Sequence, residues 1–275
     1  MPVSLLVKIV PLNSSRVPFL GRALYAFTLG ILSRQNPELA EELHELTTPK
    51  PLRTAGPFPL ESFRLVKSLN AYEPYALVIS TLDWKVAKAL LAGLNSILPG
   101  EEFSLDRAVF RIEGLGVQSV DYGELVTRYF PDGEASRTVE IVFDTPTSFH
   151  SAGKNVALPL PELVFGSLLE RWNRYAPTAL DLEFKRFVQE QVGIAYYDIK
   201  AWNLAVAGGK QVSFVGRCGY KVLEEEPYWT RVLNLLADFA WFSGVGVKTA
   251  MGMGQVRRME GGSSLPHGSG EPSEC

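Results

Sequence analysis

The sequence has few of the residues that build disulfide and metal sites. Its 275 residues include two cysteines, Cys218 and Cys275, and three histidines. Two cysteines cannot supply a disulfide framework or a four-cysteine metal site. The chain also lacks a His-x-x-x-His pair, a Cys-x-x-Cys pair and a dense aspartate cluster. The composition therefore predicts neither a metal site nor a cofactor site.

Long apolar runs are also missing. No segment reaches the roughly 18 consecutive apolar residues that a membrane helix needs, so we expect no membrane partner. The first residues, MPVSLLVKIVPL, have no basic n-region and no small-residue cleavage site. They are typical of a β-strand rather than a signal peptide. A cytoplasmic location is the simplest interpretation.

The chain has little excess charge of either sign. Lys and Arg number 27 and Asp and Glu 30, for a formal net charge of −3, which at first argues against a nucleic-acid binder. However, Glu260, Glu271 and Glu274 lie in residues 260–275, which hold no Lys or Arg. The remaining residues, 1–259, are balanced in charge. A region without net charge can still carry a basic groove, because phosphates are bound by the local electrostatic field rather than by the net charge.

Hydrophobic periodicity predicts a strand, two helices and a proline-broken loop at the start of the chain. The second helix has a clear start, with Asn36 as N-cap and Pro37 at the first helical position. We expect the loop at 47–60. The further predicted elements are strands at 61–68 and 75–82, a helix at 84–97, and strands at 107–113 and 117–122. This order is that of a ferredoxin-like or RRM-like sandwich.

The second half repeats the order without a visible sequence repeat. Its predicted elements are strands at 138–144, 193–204, 211–222 and 252–258 and helices at 161–176 and 228–242. The predicted fold class is α+β, with two tandem ferredoxin-like domains whose antiparallel sheets carry helices on one face. We expect domains at 1–125 and 135–260. The Gly/Ser/Pro-rich tail at 261–275 is predicted to be disordered.

The most specific motif is the glycine-rich segment SGVGVKTAMGMGQVR at 243–257. Glycines allow a backbone to approach a ligand closely. Exposed N–H groups with a lysine and a hydroxyl can form a phosphate cradle. Known nucleotide motifs do not fit, because Val247 precedes the Lys-Thr pair of this loop and the loop joins a helix to a strand. The alternative is a glycine-rich turn that only packs against the sheet.

The run GVGVKTAMGMG resembles the C-terminal glycine-rich loop of the Cas6 family, CRISPR-associated endoribonucleases of the RAMP superfamily. Further segments resemble the family in the same order: FDTPTSF (143–149), LPLPELVFGSLLERWN (158–173), VGRCGY (215–220) and LADFAWFSGVGVKT (236–249). The resemblance implies a metal-independent endoribonuclease that binds a repeat hairpin and cleaves precursor CRISPR RNA. CRISPR effector proteins as further partners, and the oligomeric state, stay open.

The resemblance also implies a catalytic histidine after the first-domain helix, a position that His44 occupies. Lys50 and Tyr25 are candidate partners. RNA supplies its own nucleophile, the 2′-hydroxyl beside the scissile phosphate. A histidine suits proton transfer near neutral pH, and a lysine can stabilise the extra negative charge of the transition state. The expected products carry a 2′,3′-cyclic phosphate and a 5′-hydroxyl.

Candidate RNA-binding residues lie in the glycine-rich loop, the last strand and two other loops. They are Arg53, Lys154, Gly244, Gly246, Lys248, Thr249, Gly252, Gly254 and Arg257. Two other functions stay open at this point. One is a non-catalytic RAMP subunit that holds CRISPR RNA in an effector complex, which the same loop and double fold would suit. The other is a ferredoxin-like protein that binds a small molecule.

Overall fold

Two antiparallel sheets organise the chain in a computed structural model that describes residues 1–47, 49–206 and 209–259. The predicted tail at 261–275 lies outside the described residues. The first unit contains β1 (Val3–Pro11), β2 (Ser15–Arg16), α1 (Gly21–Ser33), α2 (Pro37–Glu45), β3 (Leu52–Pro59), β4 (Ser68–Leu69), β5 (Tyr75–Thr81), α3 (Trp84–Asn95), β6 (Glu102–Leu105) and β7 (Ala108–Ser119). Its main sheet has the order β3-β5-β1-β7-β6. The first four strands in this order have the ferredoxin-like arrangement.

Part of the predicted secondary structure of the first unit is wrong. The segment expected to be a loop at 47–60 contains the edge strand β3, and the strand expected at 61–68 is reduced to the two residues of β4. The prolines in this segment are the reason that a loop was predicted there. An edge strand tolerates proline at a bulge, and the pairing of β3 with β5 shifts register between Ala55 and Phe58, where Pro57 lies. The two strands expected at 107–113 and 117–122 are one continuous strand, β7.

The second unit begins after β7. It contains α4 (Tyr122–Thr127), β8 (Thr138–Thr147), β9 (Phe149–Ser151), β10 (Lys154–Val156), α5 (Pro161–Tyr175), α6 (Glu183–Gln191), β11 (Val192–Val206), β12 (Gly209–Val222), α7 (Pro227–Ser243), a 3₁₀ turn (Thr249–Met251) and β13 (Val256–Met259). Its main sheet has the order β11-β12-β8-β13, again the ferredoxin-like arrangement. The predicted fold class is confirmed. Helix α6 is an element that the sequence interpretation missed.

The two hydrophobic cores exchange residues across the boundary between the units. Leu82, which lies between β5 and α3 of the first unit, is buried in the core of the second unit. Ala250, in the glycine-rich segment, is buried in the core of the first unit. The glycine-rich segment therefore packs on both units, which holds them together. None of the helices in the described part of the chain combines the length and apolar character that crossing a membrane requires.

Candidate functional site

His44 lies in the last turn of α2, and the sequence around it explains this position. The side chain of Asn36 caps the helix by accepting a hydrogen bond from the backbone N–H of Leu39 at 2.9 Å. Ala40 and Leu43 are buried and hold one face of the helix against α1. His44 follows Ala40 by one helical turn and is exposed. The imidazole is therefore open to solvent at the end of a helix that is fixed at its start.

The ring of Tyr25 packs against the imidazole of His44. The two rings stack, with centroids 6.0 Å apart and planes at 22°. Tyr25 is buried in α1, and its hydroxyl donates a weak hydrogen bond to the carbonyl of Leu43 at 3.4 Å. Burial raises the pKa of Tyr25 above its ordinary value. The phenol therefore stays protonated at neutral pH and offers a ring surface rather than a base.

The side chain of Lys50 caps the C-terminal end of α2. Its ammonium donates hydrogen bonds to the carbonyls of Leu43 at 2.5 Å, His44 at 2.8 Å and Leu46. A lysine has three N–H donors, and here each has a carbonyl partner. A cation at this position also opposes the negative end of the helix dipole. Partial burial lowers the pKa of Lys50. Lys50 thus fixes the backbone that carries His44, and the ammonium lies 5.8 Å from the centroid of the Tyr25 ring.

A cleft of about 640 Å³ runs between the two units beside these residues. The first unit contributes Pro49 and Lys50, and the glycine-rich segment contributes residues 246–251. Its charged lining residues are Lys50, Glu162, Glu170, Arg171, Lys185 and Lys248. Four of these six are basic, so the cleft favours an anionic ligand. Within the described ranges, no three His, Cys, Asp or Glu side chains are grouped closely enough to hold a metal ion.

The glycines of the loop serve packing rather than ligand approach. A Cβ atom at Gly254 would lie 2.0 Å from the carbonyl oxygen of Val245, and one at Gly246 would lie 2.3 Å from that of Ser148. Both glycines have positive φ angles. Their amides are also occupied, since Gly254 donates to the carbonyl of Pro146 and Gly246 to the hydroxyl of Ser167. The expected cradle of exposed glycine amides is therefore wrong at these two positions.

The other two glycines of the loop are equally enclosed. Gly244 and Gly252 are buried and have positive φ angles. A Cβ atom at Gly244 would lie 2.7 Å from the carbonyl oxygen of Gly254, and one at Gly252 would lie 3.0 Å from the Cα atom of Gly21. The backbone amide of Gly244 donates to the carbonyl of Ala240. The packing turn, which the sequence left open as the alternative, is the arrangement that forms.

Lys248 is the loop residue that faces outward. It adopts a left-handed conformation with φ of 56° and is exposed. Its ammonium donates to the side-chain carbonyl of Gln211 at 2.6 Å, and the amide of Gln211 donates to the hydroxyl of Ser148 at 2.8 Å. Lys248 lines both the inter-unit cleft and a second groove of about 570 Å³. The second groove also contains His150 and Lys210, and the exposed Lys154 lies on the neighbouring strand β10.

Two of the predicted RNA contacts, Arg53 and Thr249, are buried in the protein, and a third, Arg257, forms an ion pair. Arg53 is 1% exposed, with its guanidinium 5.4 Å from the centroid of Trp241 and bonded to the hydroxyl of Ser80. The hydroxyl of the buried Thr249 donates to the carbonyl of Leu52 at 3.5 Å. Arg257 is half-buried and pairs with Asp144 at 3.2 Å. Arg53 and Thr249 are buried and do not offer their side chains to RNA, and for Arg53 the cause is the missed strand β3. Contact of Arg257 with RNA stays a prediction.

Arg53 and Asp144 lie in the same buried region. Burial lowers the pKa of Arg53 to about 9, so the guanidinium is charged at neutral pH. Burial also raises the pKa of Asp144 to about 7, against the opposing attraction of Arg257 and Arg53. Arg53 also donates a long hydrogen bond to the carbonyl of Phe242 at 3.5 Å, which links β3 of the first unit to α7 of the second.

We expect Arg53→Ala to destabilise the protein by about 2 to 4 kcal/mol, because it removes a buried, hydrogen-bonded cation and leaves a cavity. Urea unfolding followed by fluorescence measures the change. Arg64→Ala is the matched control, since Arg64 is exposed in the loop after β3. Equal stability of the two variants would show that Arg53 does not join the units.

Two residues of α5, Arg171 and Tyr175, also lie near the site; from the sequence, Arg171 was weighed as an RNA contact and Tyr175 was missed. Both contact the loop that carries Lys50. A signal was present in the sequence, because Arg171 follows Leu168 by three residues and Val164 by seven. That spacing places a charged residue within the apolar stripe of the helix. A charge in such a stripe needs hydrogen-bond partners when it is buried.

Comparisons with known proteins agree with this architecture. The family model for the CRISPR-associated endoribonuclease Cas6 matches residues 141–256. A curated Cas6 endoribonuclease of Mycobacterium tuberculosis is 28% identical over 204 residues, which cover 69% of this chain and 63% of that protein. One of Streptococcus thermophilus is 28% identical over 168 residues, covering 60% and 68%. The chain thus spans just under two thirds of the length of the Mycobacterium relative.

A solved product complex of a Thermus thermophilus Cas6 has a TM-score of 0.77 and 24% identity to this chain. The match covers 94% of this chain and all of that one. The topology defines a protein of two tandem ferredoxin-like units, with a glycine-rich segment of the second unit packed against the first. In sequence and in fold the chain is therefore similar to CRISPR-associated Cas6 proteins, which agrees with the resemblance noted in the sequence.

Proposed function

We propose that the protein is a metal-independent endoribonuclease that binds CRISPR repeat RNA and cuts precursor CRISPR RNA. One observation carries the proposal. Lys50 lies against His44 and Tyr25, and it lines a cleft that Lys248 also lines. A proton-transfer group next to an ammonium, with an exposed lysine on the cleft beside them, matches the needs of RNA cleavage. The curated relatives, named as endoribonucleases, support the same activity.

The reaction that fits these groups is transesterification within the RNA. The 2′-oxygen attacks the adjacent phosphorus and loses its proton, while the bond from phosphorus to the 5′-oxygen breaks. The 5′-oxygen takes up a proton and leaves as a hydroxyl, and the other product keeps a 2′,3′-cyclic phosphate. We assign one of these proton transfers to His44, whose exposed imidazole is accessible to the RNA.

Tyr25 and Lys50 receive different roles in this scheme. Tyr25 is buried, so we assign it the task of holding the His44 ring by stacking. Lys50 gives its N–H donors to the end of α2, so its first role is to fix the backbone of His44. Its positive charge still lowers the energy of the negatively charged phosphorane through space, because electrostatic stabilisation does not require direct contact.

We assign binding of the RNA backbone to the exposed lysines in and beside the second groove. Lys248, Lys210 and Lys154 are exposed, and His150 lies among them. We propose that these side chains contact phosphates while the glycines shape the loop from within. The net charge of −3 fits a protein that relies on such local contacts. Effector proteins are further proposed partners, and a cytoplasmic location follows from the proposed substrate.

The experiment that tests the function uses a labelled repeat hairpin incubated with the protein in EDTA. A second hairpin carries a 2′-deoxy nucleotide at the cut. We expect cleavage of the first RNA and none of the second, because the deoxy sugar has no nucleophile. Binding of both RNAs without cleavage of either would favour a non-catalytic RNA-binding subunit. Failure to retain the hairpin in a gel-shift assay would overturn the RNA proposal itself.

A further inference from the structure

Helix α5 of the second unit contacts the loop that carries Lys50 in the first unit. The guanidinium of Arg171 donates to the carbonyl of Lys50 at 3.4 Å and to the carbonyl of Gly246 at 3.1 Å. One helical turn later, the hydroxyl of Tyr175 donates to the carbonyl of Pro49. Residues four apart lie on the same helix face, so both side chains act on the same loop.

Arg171 is 5% exposed, which is unusual for a charged residue. Burial lowers its pKa to about 10, so it keeps its charge at neutral pH. Removing a guanidinium from water is costly, and an apolar residue would fill this stripe position of α5 at lower cost. The hydrogen-bond partners of Arg171 in the described chain are backbone carbonyls of two loops from opposite sides of the cleft. The charge therefore joins these loops at a fixed distance.

We propose that Arg171 and Tyr175 are positioning residues, which set the geometry of the catalytic groups of the first unit from the second unit. The chain of contacts is continuous. The two α5 side chains fix the carbonyls of Pro49 and Lys50, and the ammonium of Lys50 binds the end of α2 at His44. On the other side of the cleft, Gly246 lies two residues before Lys248.

The inference rests on the proposed ribonuclease function, and it has one rival explanation. Arg171 also lines the cleft, so it could act as a direct phosphate contact. The two roles differ in what they change. Loss of a positioning residue slows cleavage within the RNA–protein complex, because a small misplacement of the catalytic groups lowers the reaction rate strongly. Loss of a phosphate contact weakens RNA affinity and leaves the rate at saturating RNA intact.

The test compares Arg171→Met and Tyr175→Phe with two controls. Arg186→Met removes an exposed arginine from α6, and Tyr228→Phe removes the hydroxyl of an exposed tyrosine on α7. We expect single-turnover cleavage at saturating RNA to fall roughly 10- to 100-fold for Arg171→Met and less for Tyr175→Phe, with RNA affinity unchanged. Both controls should cut at the wild-type rate. Tyr175→Phe keeps the ring in place, so it decides the question if Arg171→Met fails to fold.

A second readout does not depend on cleavage. The ring signals of His44, followed by NMR in the RNA-free protein, should shift or broaden in Tyr175→Phe and stay unchanged in Tyr228→Phe. Wild-type cleavage rates in both α5 variants with an unmoved His44 signal would overturn the inference, as would weaker RNA affinity at an unchanged saturating rate. A wild-type protein that does not cut the repeat would instead overturn the proposed function, whatever the His44 signal shows.

Discussion

His44→Ala is expected to slow single-turnover cleavage of the repeat RNA by roughly 100- to 10,000-fold, the usual contribution of a general acid or base. RNA affinity and the unfolding midpoint should stay at the wild-type values. The physical reason is the position of His44. Its imidazole is exposed at the end of α2 and stacks on the ring of Tyr25, so we expect its loss to leave the core intact.

The matched control is His150→Ala, which removes another exposed imidazole. His150 lines both grooves and lies in β9 rather than beside Lys50. We expect this variant to weaken RNA binding without changing the rate at saturating RNA. If His44→Ala cut at the wild-type rate, or if both variants lost the same activity, the assignment of the proton transfer to His44 would be wrong.

Gly254→Ala is expected to destabilise the protein by about 2 to 4 kcal/mol, because overpacking and a strained backbone add together at this position. The new Cβ atom would lie 2.0 Å from the carbonyl oxygen of Val245, in a residue with φ of 68°. Neither the carbonyl nor the backbone of β13 can move without disturbing the contact between the units. Thermal unfolding should show a clearly lower midpoint, and RNA affinity should fall because the loop carrying Lys248 is displaced.

Gly153→Ala separates the two causes of that destabilisation. Gly153 has a similar φ of 74°, but nothing lies within 4 Å of a Cβ atom built there. This control therefore reports the backbone strain alone, which is on the order of 1 kcal/mol. Equal destabilisation by the two substitutions would mean that the loop glycines are needed only for their φ angles and that the packing argument fails.

The sequence predicts the elements with strong local signals. The helix from Pro37 forms where the Asn36 cap places it, and the ferredoxin-like strand order appears in both units. Strand β3 was missed because proline is a poor local signal for an edge strand, where the sheet tolerates it. Helix α6 was missed because its buried residues, Phe184, Phe187 and Val188, are too few for a clear periodic pattern.

The candidate site was predictable to a smaller extent. The proximity of His44, Tyr25 and Lys50 followed from the family resemblance, and the structure brings the three together. Composition alone could not distinguish glycines that pack from glycines that bind, because both require a small residue with positive φ. Nor could it show that Arg53 turns inward and that Arg171 spans the cleft. Both depend on how the two units meet, which is a tertiary contact.

The most direct measurement of the central claim is the chemistry of the two RNA ends that the wild-type protein leaves in EDTA. Mass spectrometry of the products distinguishes the two possible routes. Attack by the 2′-hydroxyl predicts a 2′,3′-cyclic phosphate on one fragment and a 5′-hydroxyl on the other. A 3′-hydroxyl with a 5′-phosphate, or cleavage that stops in EDTA and returns with a divalent metal, would contradict the account.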